Sequence, residues 1–85
     1  MDYFNVVIDA LVLVVVMMNF PEIGYTPANL RYVLEQMRWT QKELAERLNV
    51  SLRGVQAWVA DVDKPAHRDM PVSQWQALLV LIQAA

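Results

Sequence analysis

The chain has 85 residues, a net charge of −2, no cysteine and a 56% hydrophobic content. That length allows a single domain with a thin core. The absence of cysteine, together with one histidine, excludes a disulfide framework, a thiolate metal site and a His-rich zinc cluster. No nucleophile–base pair, metal-ligand cluster or glycine-rich phosphate loop occurs, so neither an enzyme nor a cofactor is expected.

The first 25 residues form an apolar segment and connector, which we read as a dimerisation unit. The run Ala10–Met18 is continuously apolar, and Asp9 interrupts its extension back to Val6. A membrane span needs about 20 such residues, so none is expected. There is no basic leader or small-residue cleavage pattern, so a signal peptide is not expected either. Periodicity leaves helix and strand open, but six valines and Ile8 favour a strand. Such a strand aggregates unless it pairs, and a second copy of the chain is the simplest partner. A natural start at Met17 or Met18, which would place the run outside the protein proper, is the alternative. Pro21 and Gly24 then break regular structure before Tyr25.

From Thr26 onward the caps delimit four helices, and the predicted class is mainly α. Thr26-Pro27 opens the first, with Leu30, Val33, Leu34 and Met37 on one face. Arg38-Trp39 is the turn. Thr40 and Glu43 have the spacing of a capping box. Behind it Leu44, Ala45 and Leu48 point inward, and Asn49 suits a left-handed terminator. Ser51 caps the third helix, whose Val55 and Trp58 share the core face. Arg53, Gln56 and Ala57 lie opposite, with Leu52 near the exposed tip. Gly54 is expected where another surface nears the backbone, since glycine costs a helix about 1 kcal/mol. A polar loop spans residues 61–69, and Pro71 suits the start of a last helix. Its apolar stripe is expected to be Val72, Trp75, Leu78, Leu79 and Ile82.

Charge is segregated along this plan. All seven Lys and Arg lie between residues 31 and 68; with five acids, the window 26–68 carries +2. The remainder has four acids and no Lys or Arg, hence −4. A basic middle between acidic, apolar ends is a partner signal.

The stretch Gln41–Trp58 resembles the Cro/C1 (XRE) type of helix-turn-helix regulator. The shared pattern is Q-x-x-L-A-x-x-L-x-V-S-x-x-x-V-x-x-W, and Lys64-Pro65 is similar to the tail that follows it. Asn49 stands where the family commonly has glycine. Val59-Ala60 replaces the common acidic-x-Gly after the tryptophan. The small size and the Met70–Trp75 stretch also resemble phage-encoded, anti-CRISPR-associated repressors.

The resemblance implies a compact, lambda-repressor-like four-helix domain over residues 26–85, bound to double-stranded operator DNA. It implies that Leu52, Arg53, Gln56 and Ala57 face base edges. Arginine can pair with guanine, glutamine with adenine, and an apolar side chain can touch the thymine methyl. It implies phosphate contacts from Gln41 and Ser51, for which Arg38, Lys42, Lys64 and Arg68 are further candidates. The expected protein is a cytoplasmic, homodimeric repressor. A helix-turn-helix reused for protein binding, as in an inhibitor or antitoxin, is the competing reading. It gains if acids such as Glu43, Asp61 and Asp63 crowd the side of the third helix. His67 is expected to be an ordinary loop residue. Trp39, Trp58 and Trp75 are expected to anchor the core and interfaces.

Overall fold

The computed structural model describes residues 19–84. The expected N-terminal strand and its dimerising role lie outside these residues. Four helices follow in order: α1 (Pro27–Met37), α2 (Gln41–Leu48), α3 (Leu52–Val59) and α4 (Val72–Ala84).

Each of the first three helices starts where its cap demands. Thr26 Oγ1 accepts the Asn29 N–H at 3.1 Å, with Pro27 in the first helical position. Thr40 Oγ1 accepts from Glu43 N, and Glu43 Oε1 accepts from Thr40 N, closing the capping box. Ser51 Oγ accepts the Gly54 N–H at 3.0 Å. In α4, which starts one residue after Pro71, the Pro71 carbonyl accepts from Gln74 and Trp75.

Two terminators lie in the left-handed region. Asn49 has φ 56°, as its residue type suggests. Arg38 has φ 57° and closes α1, which its sequence does not signal.

The core is built from all four helices. Leu30 and Val33 of α1, Leu44 of α2, Val55 of α3 and Leu78 of α4 are fully buried. Each such side chain contributes about 1.5–3 kcal/mol by leaving water. Ala45 is 4% exposed where α2 packs on α3; α1 also rests on α3, and α4 on α2. Trp58 and Trp75 are buried, while Trp39 is half-buried with the Arg47 guanidinium 4.4 Å above its ring. Met70 joins the core from the loop, although no periodicity marks it.

The stripe of α4 is narrower than expected. Val72 is 71% exposed, and burial begins at Trp75. Val72, on the first turn of α4, is thus left largely uncovered among the described residues.

The connector before α1 is tied down by one buried amide. Asn29 Oδ1 accepts from Glu22 N, and Nδ2 donates to the carbonyls of Glu22 and Gly24. Gly24, at φ 72°, makes the turn that places both carbonyls over that amide. Phe20 then lies against the rings of Tyr32 and Trp75.

Candidate nucleic-acid interface

The geometry of α2 and α3 follows from the residues between them. The Asn49 N–H donates to the Glu46 carbonyl, and the Val50 N–H reaches back to Ala45 at 2.9 Å. Val50 packs against the core, and Ser51 starts the next helix at once. With only three residues between the helices, α3 leaves the turn with its apolar side on Leu44 and Ala45. Its other side faces water: Leu52 is 39% exposed, Arg53 and Gln56 are exposed, and Ala57 is half-buried.

That outer side borders an open hollow of about 560 Å³. Ser51, Arg53, Gly54, Gln56 and Ala57 line it from α3, and Ala66 and Arg68 from the following loop. Two guanidinium-bearing residues thus share one concavity, and no acid lines it among the described residues. A second hollow takes the acids instead: Glu22, Asp61, Asp63 and Asp69 line it with Arg31 and Tyr25.

Residues 30–66 match a family model described as helix-turn-helix. This segment belongs to the Cro/C1-type helix-turn-helix family. Neither the curated proteins nor the solved structures yielded a match to the chain. The family is one of DNA-binding regulators and not of enzymes. In this helix-turn-helix, α3 stands in the position of the recognition helix. Among the described residues no helix is long and apolar enough to cross a membrane.

Five of the expected site residues, Ser51, Arg53, Gln56, Ala57 and Arg68, meet at the first hollow. Leu52 lies at the exposed start of the recognition helix, outside the lining. Gln41 is the first residue of α2 and half-buried, with Lys42 exposed beside it. Arg38 is exposed at the end of α1, and Lys64 is exposed in the loop. These four do not line the hollow.

Gly54 lines the same hollow on the outer side of α3. A Cβ built there would lie 3.2 Å from Ser51 Oγ and 3.9 Å from the Trp58 ring. Within the chain the close neighbours of Gly54 thus belong to its own helix and cap.

The end of the recognition helix explains the departure at Val59-Ala60. Without a glycine, Ala60 leaves the helix in extended conformation, at φ −67° and ψ 144°. The last carbonyls of a helix need outside donors. Here four consecutive carbonyls receive one each. The Arg68 N–H donates to Ala57 at 3.1 Å, and the Tyr25 hydroxyl to Trp58 at 2.7 Å. Arg31 Nη1 donates to Val59 at 2.6 Å, and His67 Nδ1 meets the Ala60 carbonyl at 2.8 Å.

Three of those donors were invisible as site residues in the sequence. Arg31 is held at this helix end by Val59 and by Asp61, 3.0 Å away, which keeps it off the hollow. Tyr25 arrives from the connector, and burial pushes its phenol up, opposed by a backbone hydrogen bond from Met70. The imidazole of His67 is only 10% exposed, and its Nε2 lies 2.7 Å from Asp69 Oδ1. The Asp69 carboxylate raises its pKa above the usual histidine value. The only sequence signal for this arrangement was the missing glycine after Trp58.

Proposed function

We propose that the protein is a sequence-specific, DNA-binding transcriptional repressor of the cytoplasm. It acts as a homodimer that sets residues 51–60 of each protomer into the major groove of a palindromic operator. The observation that carries this reading is the acid-free hollow shared by Ser51, Arg53, Gln56, Ala57 and Arg68. The competing protein-binding reading expects acids such as Glu43, Asp61 and Asp63 on that side; Asp61 and Asp63 line the other hollow, and Glu43 lines neither.

In this reading Arg53 pairs with guanine O6 and N7, and Gln56 with adenine N6 and N7. Leu52 and Ala57 touch thymine methyls. Gln41, Ser51, Arg38, Lys42, Lys64 and Arg68 hold phosphates, which sets register without reading sequence. Half-sites lie about 34–36 Å apart, one helical turn. The dimer forms through the Trp75–Ile82 face of α4, through Phe4–Phe20, or through both. Support for the α4 face is its lack of any charged residue and its 56% exposed Val80. Occupying the operator occludes the promoter.

Selection of bound duplexes from a random pool, with a salt titration, tests the reading. Wild-type protein should enrich a palindrome. Arg53→Ala should lose about 1–3 kcal/mol of discrimination at one base position per half-site. Failure of the wild-type protein to enrich any sequence at physiological salt overturns it. Deleting residues 1–17 and measuring mass in solution tests the dimer; an unchanged dimer clears the N-terminal segment of that role.

A further inference from the structure

His67 sits between two oxygens that can only accept. The Ala60 carbonyl faces Nδ1 at 2.8 Å, and the Asp69 carboxylate faces Nε2 at 2.7 Å. A neutral imidazole carries one N–H, so one of these contacts would set two lone pairs against each other. Only the imidazolium donates to both. The site suits a cation for a second reason, because the carbonyl end of α3 carries partial negative charge.

The next residue shows what this contact positions. Arg68 follows His67, and its N–H is bonded to Ala57 one turn further up the recognition helix. Arg68 lines the hollow together with Arg53 and Gln56. The loop is wound tightly up to this point, with Lys64 N on Asp61 O and His67 N on Lys64 O. His67 is therefore the side chain that fastens the Arg68 strand of the loop to the helix.

We propose that His67, as the imidazolium, is a positioning residue that holds Arg68 at the edge of the recognition surface and so makes DNA binding fall as pH rises. The consequence for DNA rests on the reading above; the clamp itself does not.

The charged surroundings support this assignment. Asp69 is in direct contact, and its side chain is 83% exposed. The α3 end faces it with the carbonyls of Ala57 and Ala60, residues without a side-chain charge. From the α1 side, Arg31 with its partner Asp61, and the Tyr25 hydroxyl, occupy the adjacent carbonyls. The Arg68 guanidinium turns onto the carbonyls of Pro65 and His67. No other side chain of the protein has an ordinary pKa between about 5 and 8, since His67 is the one histidine. The folded value is raised, so the clamp is complete below the ordinary value of 6.5 and is lost as pH rises through the folded value.

The experiment follows the imidazole of the full chain by proton NMR, with amide exchange of Arg68 read as a protection factor. His67 should titrate above 6.5, and Asp69→Asn should lower that value. Protection of Arg68 should drop by about three- to tenfold across the titration, the worth of one partly exposed charged hydrogen bond. Titration at or below the ordinary value, or Arg68 protection indifferent to it, overturns the proposal. In parallel, anisotropy of a labelled random-sequence duplex of about 20 base pairs is measured from about pH 5.5 to about pH 8.5 at fixed salt. Wild-type affinity should fall by about three- to tenfold, and His67→Gln should show a flat profile. Equal slopes in the two proteins overturn the coupling. If no duplex binds at any pH, the DNA-binding reading fails, and the imidazole titration and Arg68 protection decide the proposal alone.

Discussion

The Tyr25 hydroxyl donates to the Trp58 carbonyl at 2.7 Å across 33 positions of chain. It ties the connector before α1 to the end of the recognition helix. The tie extends backward, because Asn29 fixes Glu22 and Gly24 and so fixes the approach to Tyr25. It extends sideways too, since the Tyr25 ring lies 6.1 Å from that of Trp75 on α4. The far end of α3, beyond the reach of its turn, is thus also held by residues outside the helix-turn-helix.

Removing that hydroxyl isolates the contribution. Tyr25→Phe keeps the ring against Trp75 and leaves the Trp58 carbonyl without its donor. The loss should be about 1 kcal/mol, or a Tm lower by roughly 4–8 °C in thermal unfolding followed by circular dichroism. An unchanged Tm would show that water replaces the hydroxyl without cost.

Two left-handed residues should respond in opposite ways. Asn49→Val places a β-branched side chain at φ 56° and should cost about 1–2 kcal/mol. Arg38→Gly removes a strained side chain at φ 57° and should stabilise by about 0.5–1 kcal/mol. If Arg38 holds a phosphate, the same change weakens DNA binding and makes the salt dependence shallower by about one unit of log slope. Denaturant midpoints and a salt titration measured on the same variant separate the two effects.

The crossing of α2 and α3 tolerates no growth at Ala45. At 4% exposure it has no room for a larger side chain. Ala45→Leu should cost about 1–3 kcal/mol by overpacking. A DNA-binding loss larger than the lost folded fraction would show that α3 has also been displaced.

The capping box gives stability a pH dependence on the acid side. Hydrogen bonds from the Thr40 backbone N–H and then its side chain hold the Glu43 carboxyl below its usual value. Its contribution is present above the unfolded value of 4.5 and lost as pH falls through the lower folded value. Wild-type Tm should therefore fall between about pH 5 and about pH 3 more steeply than that of Glu43→Gln. Parallel profiles would assign the acid sensitivity to other carboxyls.

The helices were legible from the sequence because their signals are local. Thr26-Pro27, the Thr40–Glu43 box, Asn49 and Ser51 each act within one turn, and each acts in the structure as its type requires. The spacing of Leu44, Ala45, Val55 and Trp58 likewise fixed which faces are buried, and so which face of α3 is left for a partner. Val72 misled because periodicity says which face of a helix is apolar and not how far a neighbour covers it.

What the sequence by itself determined is the helix-turn-helix, its caps and the outward set Leu52, Arg53, Gln56 and Ala57. Only the tertiary structure decided how α3 ends and which charges surround it. Tyr25, Arg31 and His67 meet Trp58, Val59 and Ala60 across 33, 28 and 7 positions. The partners are backbone carbonyls, which every residue carries and no side-chain pattern marks. The same folding sends Asp61, Asp63 and Asp69 to one hollow and Arg53 and Arg68 to another. A net charge of −2 thereby leaves a hollow beside α3 that no acid lines among the described residues.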